Sequence, residues 1–176
     1  MEKERVAIFI DGSNLYYSLK DLRIKRIDFR KLISLLSENK LLTSTYYYNA
    51  SLNRGINKER YWEQQKFFDF LRKIPNFKVI LCRMRKHKKD GKVSFDVKGD
   101  DIYLAIDLVP GAYENLYEIA IIVSGDEDFV PAIQKAQKLG KKVINAYFRS
   151  TSSNYLKHIC DESFCIDEIT EKIKEE

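Results

Sequence analysis

Apolar runs of strand length return five times along the chain, at Val6–Ile10, Thr45–Tyr48, Phe77–Met84, Ile119–Val123 and Val143–Phe148. Between them lie stretches with helical spacing: Asp28–Glu38, with Asp28 as its N-cap, Lys58–Lys73 carrying Phe67, Phe68, Phe70 and Leu71, then Asp100–Val109 and Asp128–Leu139. Strand and helix alternate, which predicts an α/β fold, a three-layer α/β/α (Rossmann-like) sandwich with a mainly parallel central sheet. The 176 residues, 44% hydrophobic and 32% charged, suffice for one sizeable core and are too few for two. The main body is expected over residues 1–150. After Ser150 a loop, "STSSN", leads into a short helix, a short strand near Phe164–Ile166 and an acidic terminal helix, so residues 151–176 are expected as an extension packed on the same domain.

The opening "MEKER" runs straight into a five-residue apolar segment, too short for a signal-peptide core or a membrane span, and a cytoplasmic location is expected with no membrane partner. Cys82, Cys160 and Cys165 form neither an even framework nor a CxxC pair and read as reduced thiols. His158, Cys160 and Cys165 lack a fourth ligand for a zinc site. The net charge of +5 is concentrated: residues 83–92, "RMRKHKKDGK", hold six basic residues against one acid, while residues 161–176 hold seven acids against two lysines. Such a basic patch suits a phosphate backbone, and equally a charged hairpin that blocks edge pairing. The Asp-Gly pair inside it predicts a hairpin standing off the sheet.

Three acidic groups carry the chemistry. Asp11 ends the first apolar run, Asp126 and Asp128 follow "IAIIVSG", and "KGDD" at Lys98–Asp101 opens a helix whose next residues are mostly apolar. In a parallel sheet flanked by helices, ligands bind at the carboxyl ends of strands. Each acid alone is an ordinary cap or turn residue, and Asp128 could cap the helix entering at Phe129. Converging carboxylates repel, by a few kcal/mol per pair at about 4–5 Å, and need a cation or a captured proton. An all-oxygen donor set points to Mg²⁺ or Mn²⁺ rather than zinc.

"FIDGSNL", "KGDD" and "IIVSGDEDFVPAIQKAQKLGKKV", in that order from Val6 to Phe148, resemble the motifs of the NYN domain family, the PIN-like nucleases that include the LabA-like proteins. The resemblance implies a PIN-like α/β/α sandwich and a metal-dependent ribonuclease. Carried over by position, its acidic site falls on Asp11, Asp101, Asp126 and Asp128. Asn14 would help to hold the metal, its water or a phosphate oxygen, and Ser124 would shape the turn beneath. The family has an apolar residue where Asp100 stands here: either Asp100 caps the helix while Asp101 turns inward, or the two exchange roles. Asp107 lies about 240° around that helix from Asp101 and is a supporting acid or an alternative ligand.

For phosphodiester hydrolysis a metal would activate water and stabilise the leaving oxygen. A metal-free mechanism would rest on His87 among lysines. Arg83, Arg85, Lys86, Lys88, Lys89 and Lys98 could track phosphates, with Arg54, Lys58 and Arg60 as additions. Among Tyr46, Tyr47 and Tyr48, strand alternation sends at least one or two into the core, and Trp62 reads as helix packing. Single-stranded RNA is the expected partner. The rival in another class is a non-catalytic RNA-binding or regulatory module of the same fold. A haloacid-dehalogenase-type phosphatase would need a second aspartate where Ser13 stands, and no GxGxxG or GxxxxGK[ST] loop follows the first strand. The apolar content of the terminal helix suits either a homo-oligomer surface or a helix capping its own core.

Overall fold

In a computed structural model of the chain, residues 3–89 and 92–175 are described, with the backbone alone for residues 83–89, 92–98 and 100. Seven strands, β1 (Arg5–Asp11), β2 (Leu41–Ala50), β3 (Phe77–Lys89), β4 (Lys92–Lys98), β5 (Ile119–Val123), β6 (Lys142–Tyr147) and β7 (Glu162–Cys165), form one sheet in the order β4-β3-β2-β1-β5-β6-β7. All neighbours run parallel except β4, which pairs antiparallel with β3. The helices are α1 (Gly12–Asp21), α2 (Phe29–Leu36), α3 (Lys58–Arg72), α4 (Asp100–Tyr113), α5 (Val130–Lys138), α6 (Asn154–Ile159) and α7 (Thr170–Ile173). This is the three-layer α/β/α sandwich expected of a PIN-like domain.

Strand alternation divides the core in two. Val6, Ile8 and Ile10 of β1 face Leu15, Leu32, Phe68, Leu71 and Ile173, so α1, α2, α3 and α7 cover the first face. Ala7 and Phe9 face Leu104, Leu108, Ile133, Ala136 and Leu156, so α4, α5 and α6 cover the second. Each fully buried Leu, Ile or Phe contributes about 1.5–3 kcal/mol. The chain winds from β1 outward to β3 with its helices on the first face, returns through α4 to β5, and winds outward the other way with its helices on the second. Adjacent strands β1 and β5, paired from Val6–Ile119 to Ile10–Val123, therefore flank the point where the winding reverses.

Several local details differ from the sequence expectations. Helix α1 was absent from them: its buried face is Gly12, Leu15 and Ser18, too weakly apolar to show a helical period. Strand β3 runs past Met84 to Lys89, because β4 takes over as partner at Arg83–Lys98 where β2 ends at Ala50–Cys82. The basic run thus lies on a two-stranded arm beyond the carboxyl end of β2, and its Asp90-Gly91 turn is outside the described residues. Helix α4 continues through Pro110 to Tyr113 rather than stopping at Val109, with Tyr117 Oη donating to the Leu108 carbonyl at 2.5 Å. The C-terminal segment is mostly short turns of helix, and its Ile166, Ile169 and Ile173 are buried in the first core rather than offered to a partner.

Candidate active site

Asp11 is the last residue of β1 and the N-cap of α1. Its Oδ1 accepts from the backbone N–H of Ser13 (3.0 Å) and Asn14 (2.9 Å), and its Oδ2 accepts from Ser124 Oγ at 3.0 Å. Only 6% of Asp11 is exposed. A cap of this kind stabilises a helix by about 0.5–2 kcal/mol, so the carboxylate has a structural duty as well. Beneath it, burial pushes the Tyr47 phenol up to about 12, with the Asn49 amide opposing and the Asp11 carboxylate adding to the rise.

Ser124 follows β5 and joins this strand end to the next acid. While donating to Asp11, its Oγ accepts from the Asp126 backbone N–H at 3.1 Å, so one hydroxyl uses its proton and a lone pair to couple the two segments. Asp126 caps the 3₁₀ turn Glu127–Phe129, its Oδ1 accepting from Asp128 N at 3.0 Å. The cap is therefore Asp126, and Asp128 stands inside the turn with its side chain exposed, so the alternative reading of Asp128 as the cap does not hold. The Ser124 carbonyl is fixed from β6, where wholly buried Asn145 donates to it at 2.8 Å and to the Ile122 carbonyl at 3.3 Å. Asn145 Oδ1 has no hydrogen-bond partner among the described residues, a cost of about 1–3 kcal/mol accepted for holding this turn.

The segment after β6 closes over the same place. A Cβ on Gly125 would lie 1.7 Å from the Thr151 carbonyl oxygen, so only glycine admits this approach. Thr151 Oγ1 donates to Asn14 Oδ1 at 3.1 Å and lies 2.8 Å from Ser18 Oγ, while Ser153 donates to the Glu127 carboxylate. The third acidic group arrives through Gly99, whose φ of +89° turns β4 into α4. Gly99 is itself the cap residue, so Asp100 is the first helical residue and not the cap; its side chain is outside the described ones. Asp101 is half-buried in the first turn of α4. Asp107 accepts from Tyr48 Oη at 2.8 Å. Burial, with Asp107 beside it, holds that phenol far above its ordinary range, so Tyr48 is a neutral donor and Asp107 is tied to the core.

Hydrogen bonds thus link the Asp11 carboxylate to the Ser124 hydroxyl and to the backbone of Asn14, and through Ser124 to the backbone of Asp126, whose carboxylate meets the backbone of Asp128; Asp107 is tied elsewhere. Among the described residues no three acidic, histidine or cysteine side chains form a ready cage for a metal ion. The donors at the strand ends are oxygens only, in an open arrangement. This chemistry fits a hard cation such as Mg²⁺, which keeps several waters and is held by one or two carboxylates together with substrate phosphates. The side chains of Arg83, Arg85, Lys86, Lys88, Lys89 and Lys98 are outside the described ones, though their strands place them on the arm at this end of the sheet. Tyr47 and Tyr48 are core residues and Tyr46 stacks on Phe9 with ring centroids 5.1 Å apart. Trp62, expected in helix packing, is 46% exposed. Sequence reasoning missed Asn145, Thr151 and Ser18, whose polar side chains in a strand, a loop and a helix carry no motif.

Comparison with known proteins agrees with this architecture. A family profile for the NYN domain matches residues 5–167, nearly the whole chain. The crystal structure of a protein of unknown function, VPA0982 from Vibrio parahaemolyticus RIMD 2210633, is similar with a TM-score of 0.74 and 26% identity, covering 95% of this chain and 95% of that one. No curated protein matches. NYN domains are nuclease-like, which sets the general class of hydrolase. The chain belongs to the NYN domain family.

Proposed function

We propose that this protein is a divalent-metal-dependent ribonuclease acting on phosphodiester bonds of single-stranded RNA. The observation that carries the reading is the Ser124 hydroxyl bridging Asp11 and the Asp126 backbone at the point where the sheet reverses its winding. Asp11, Asp126 and Asp128, with Asp101 from α4, would hold Mg²⁺ or Mn²⁺. Such a cation, when bound, lowers the pKa of water and offsets charge developing on phosphate oxygens.

The remaining roles belong to the chain's own groups. Asn14, with its Oδ1 engaged by Thr151, offers its amide N–H groups to a phosphate oxygen. The Ser124 bridge ties the Asp11 carboxylate to the backbone that carries Asp126, so that little reorganisation of that turn is needed when substrate arrives. The basic arm supplies phosphate contacts that position the strand without reading its sequence. The buried Cys160 and Cys165 thiols suit a reducing, cytoplasmic setting, and no helix among the described residues is long and apolar enough to cross a membrane.

The test is cleavage of end-labelled single-stranded RNA with Mn²⁺, Mg²⁺ or EDTA, beside an Asp11→Asn, Asp126→Asn double variant. Metal-dependent cleavage absent from the folded variant is the expected result; equal cleavage by both would assign the activity to a contaminant. The open spread of the described acids favours a second reading, a non-catalytic RNA-binding module, which would bind the RNA without cutting it under any of these conditions.

A further inference from the structure

The chain has one tryptophan, and the fold leaves it in the open. Helix α3 follows β2, so its first turns lie at the carboxyl end of the sheet, beside the strand that ends in Asp11. Asp11 pairs with Tyr48, and β2 runs two residues further to Ala50, roughly 7 Å at the usual strand rise.

The loop between β2 and α3 is built to a fixed shape. Gln64 donates to the Ala50 carbonyl at 3.0 Å and accepts from Leu52 N at 2.7 Å, and Gln65 donates to Ser51 Oγ at 3.3 Å. Asn57 caps the helix through Arg60 N at 2.9 Å. Trp62 stands between these anchors, so its place relative to the strand end is set by hydrogen bonds on both sides. Its ring rests edge-to-face against Tyr61, with centroids 5.2 Å apart, and the Arg54 guanidinium lies over it at 5.4 Å. Lys58 and Arg60 are exposed nearby, and the next strand carries the basic arm.

From this arrangement we infer that Trp62 and Arg54 form a stacking platform for an unpaired base of the RNA strand whose phosphates reach the acidic centre. The inference deepens the ribonuclease reading and rests on it for the class of substrate. An indole and a guanidinium both stack on any nucleobase, and they do so without sequence preference. Bases in a duplex keep their faces covered, so the platform selects single strands. The cationic rim and the adjoining arm suit a polyanion rather than an apolar protein surface.

Because Trp62 is the single tryptophan, its fluorescence reads the platform directly. The experiment titrates the full chain, in EDTA, with a short oligoadenylate and with a blunt-ended RNA duplex, following tryptophan emission and, in parallel, the anisotropy of labelled RNA. The oligoadenylate should quench Trp62 and the duplex should not. Trp62→Ala should weaken oligoadenylate binding by about tenfold or more, whereas Trp62→Phe should stay within about threefold of the parent. Oligoadenylate binding without quenching, parental affinity in Trp62→Ala, or no RNA binding at all would each overturn the platform. Quenching with no cleavage under any metal would leave the platform standing and remove the nuclease. Metal-dependent cleavage with a silent Trp62 would do the reverse.

Discussion

The Ser124 hydroxyl couples two strand ends through one donated and one accepted hydrogen bond. Ser124→Ala should cost about 1–2 kcal/mol in urea unfolding and lower metal-dependent cleavage by at least about tenfold, since Asp11 and the Asp126 turn lose their common anchor. Cleavage at the parental rate would take Ser124 out of the site. Thr151→Val keeps the shape and removes the hydroxyl that holds Asn14, so its effect should fall on kcat more than on RNA affinity. Asp11 stands out in the sequence because it directly ends an apolar run, and Asp126 and Asp128 because a spaced pair of acids follows another such run and its glycine. Asn145 and Thr151 were not, because their partners lie 21 and 137 residues away and only the folded sheet brings them together.

The elements differ in how plainly the sequence announces them. Strands β1 and β5 hold continuous apolar runs, and β6 one broken only by Asn145, because helices cover both faces of the sheet, and α2 carries both a cap and a strong apolar stripe. Helix α1 is hidden because Leu15 is the one large apolar residue of its buried face, beside Gly12 and a Ser18 that meets Thr151. The basic arm was legible as charge and as a hairpin, while its start where β2 ends depends on register that no local pattern carries. Replacing Arg85, Lys86, Lys88 and Lys89 with alanine should weaken RNA binding similarly for all sequences. Each lost phosphate contact should flatten the plot of log affinity against log salt by about one unit, measurable by anisotropy over a salt series. An unchanged slope would mean that the arm does not meet the phosphates.

For the whole molecule, alternation of strand and helix settled the architecture before any contact was known, because a parallel sheet needs helices on both faces. The two-faced core has a consequence for alkaline stability. Burial pushes both the Tyr47 phenol and the Cys160 thiol up to about 12, and raises Tyr48 and Tyr117 further. The fold favours the neutral forms, so this stabilisation is complete below the ordinary thiol and phenol values and is lost as pH climbs through the raised ones. Unfolding free energy should be level near neutral pH and fall between about pH 9 and about pH 12, with Tyr47→Phe making the decline shallower. Urea denaturation across that range measures it. The central claim, that the cation sits where β1 and β5 end, is tested most directly by adding Mn²⁺ to isotope-labelled protein and recording which amide signals broaden. Broadening should centre on residues 11–14, residues 124–128 and the first turn of α4. Broadening centred on the acidic C-terminal residues 161–176 instead, or none at all, would contradict it.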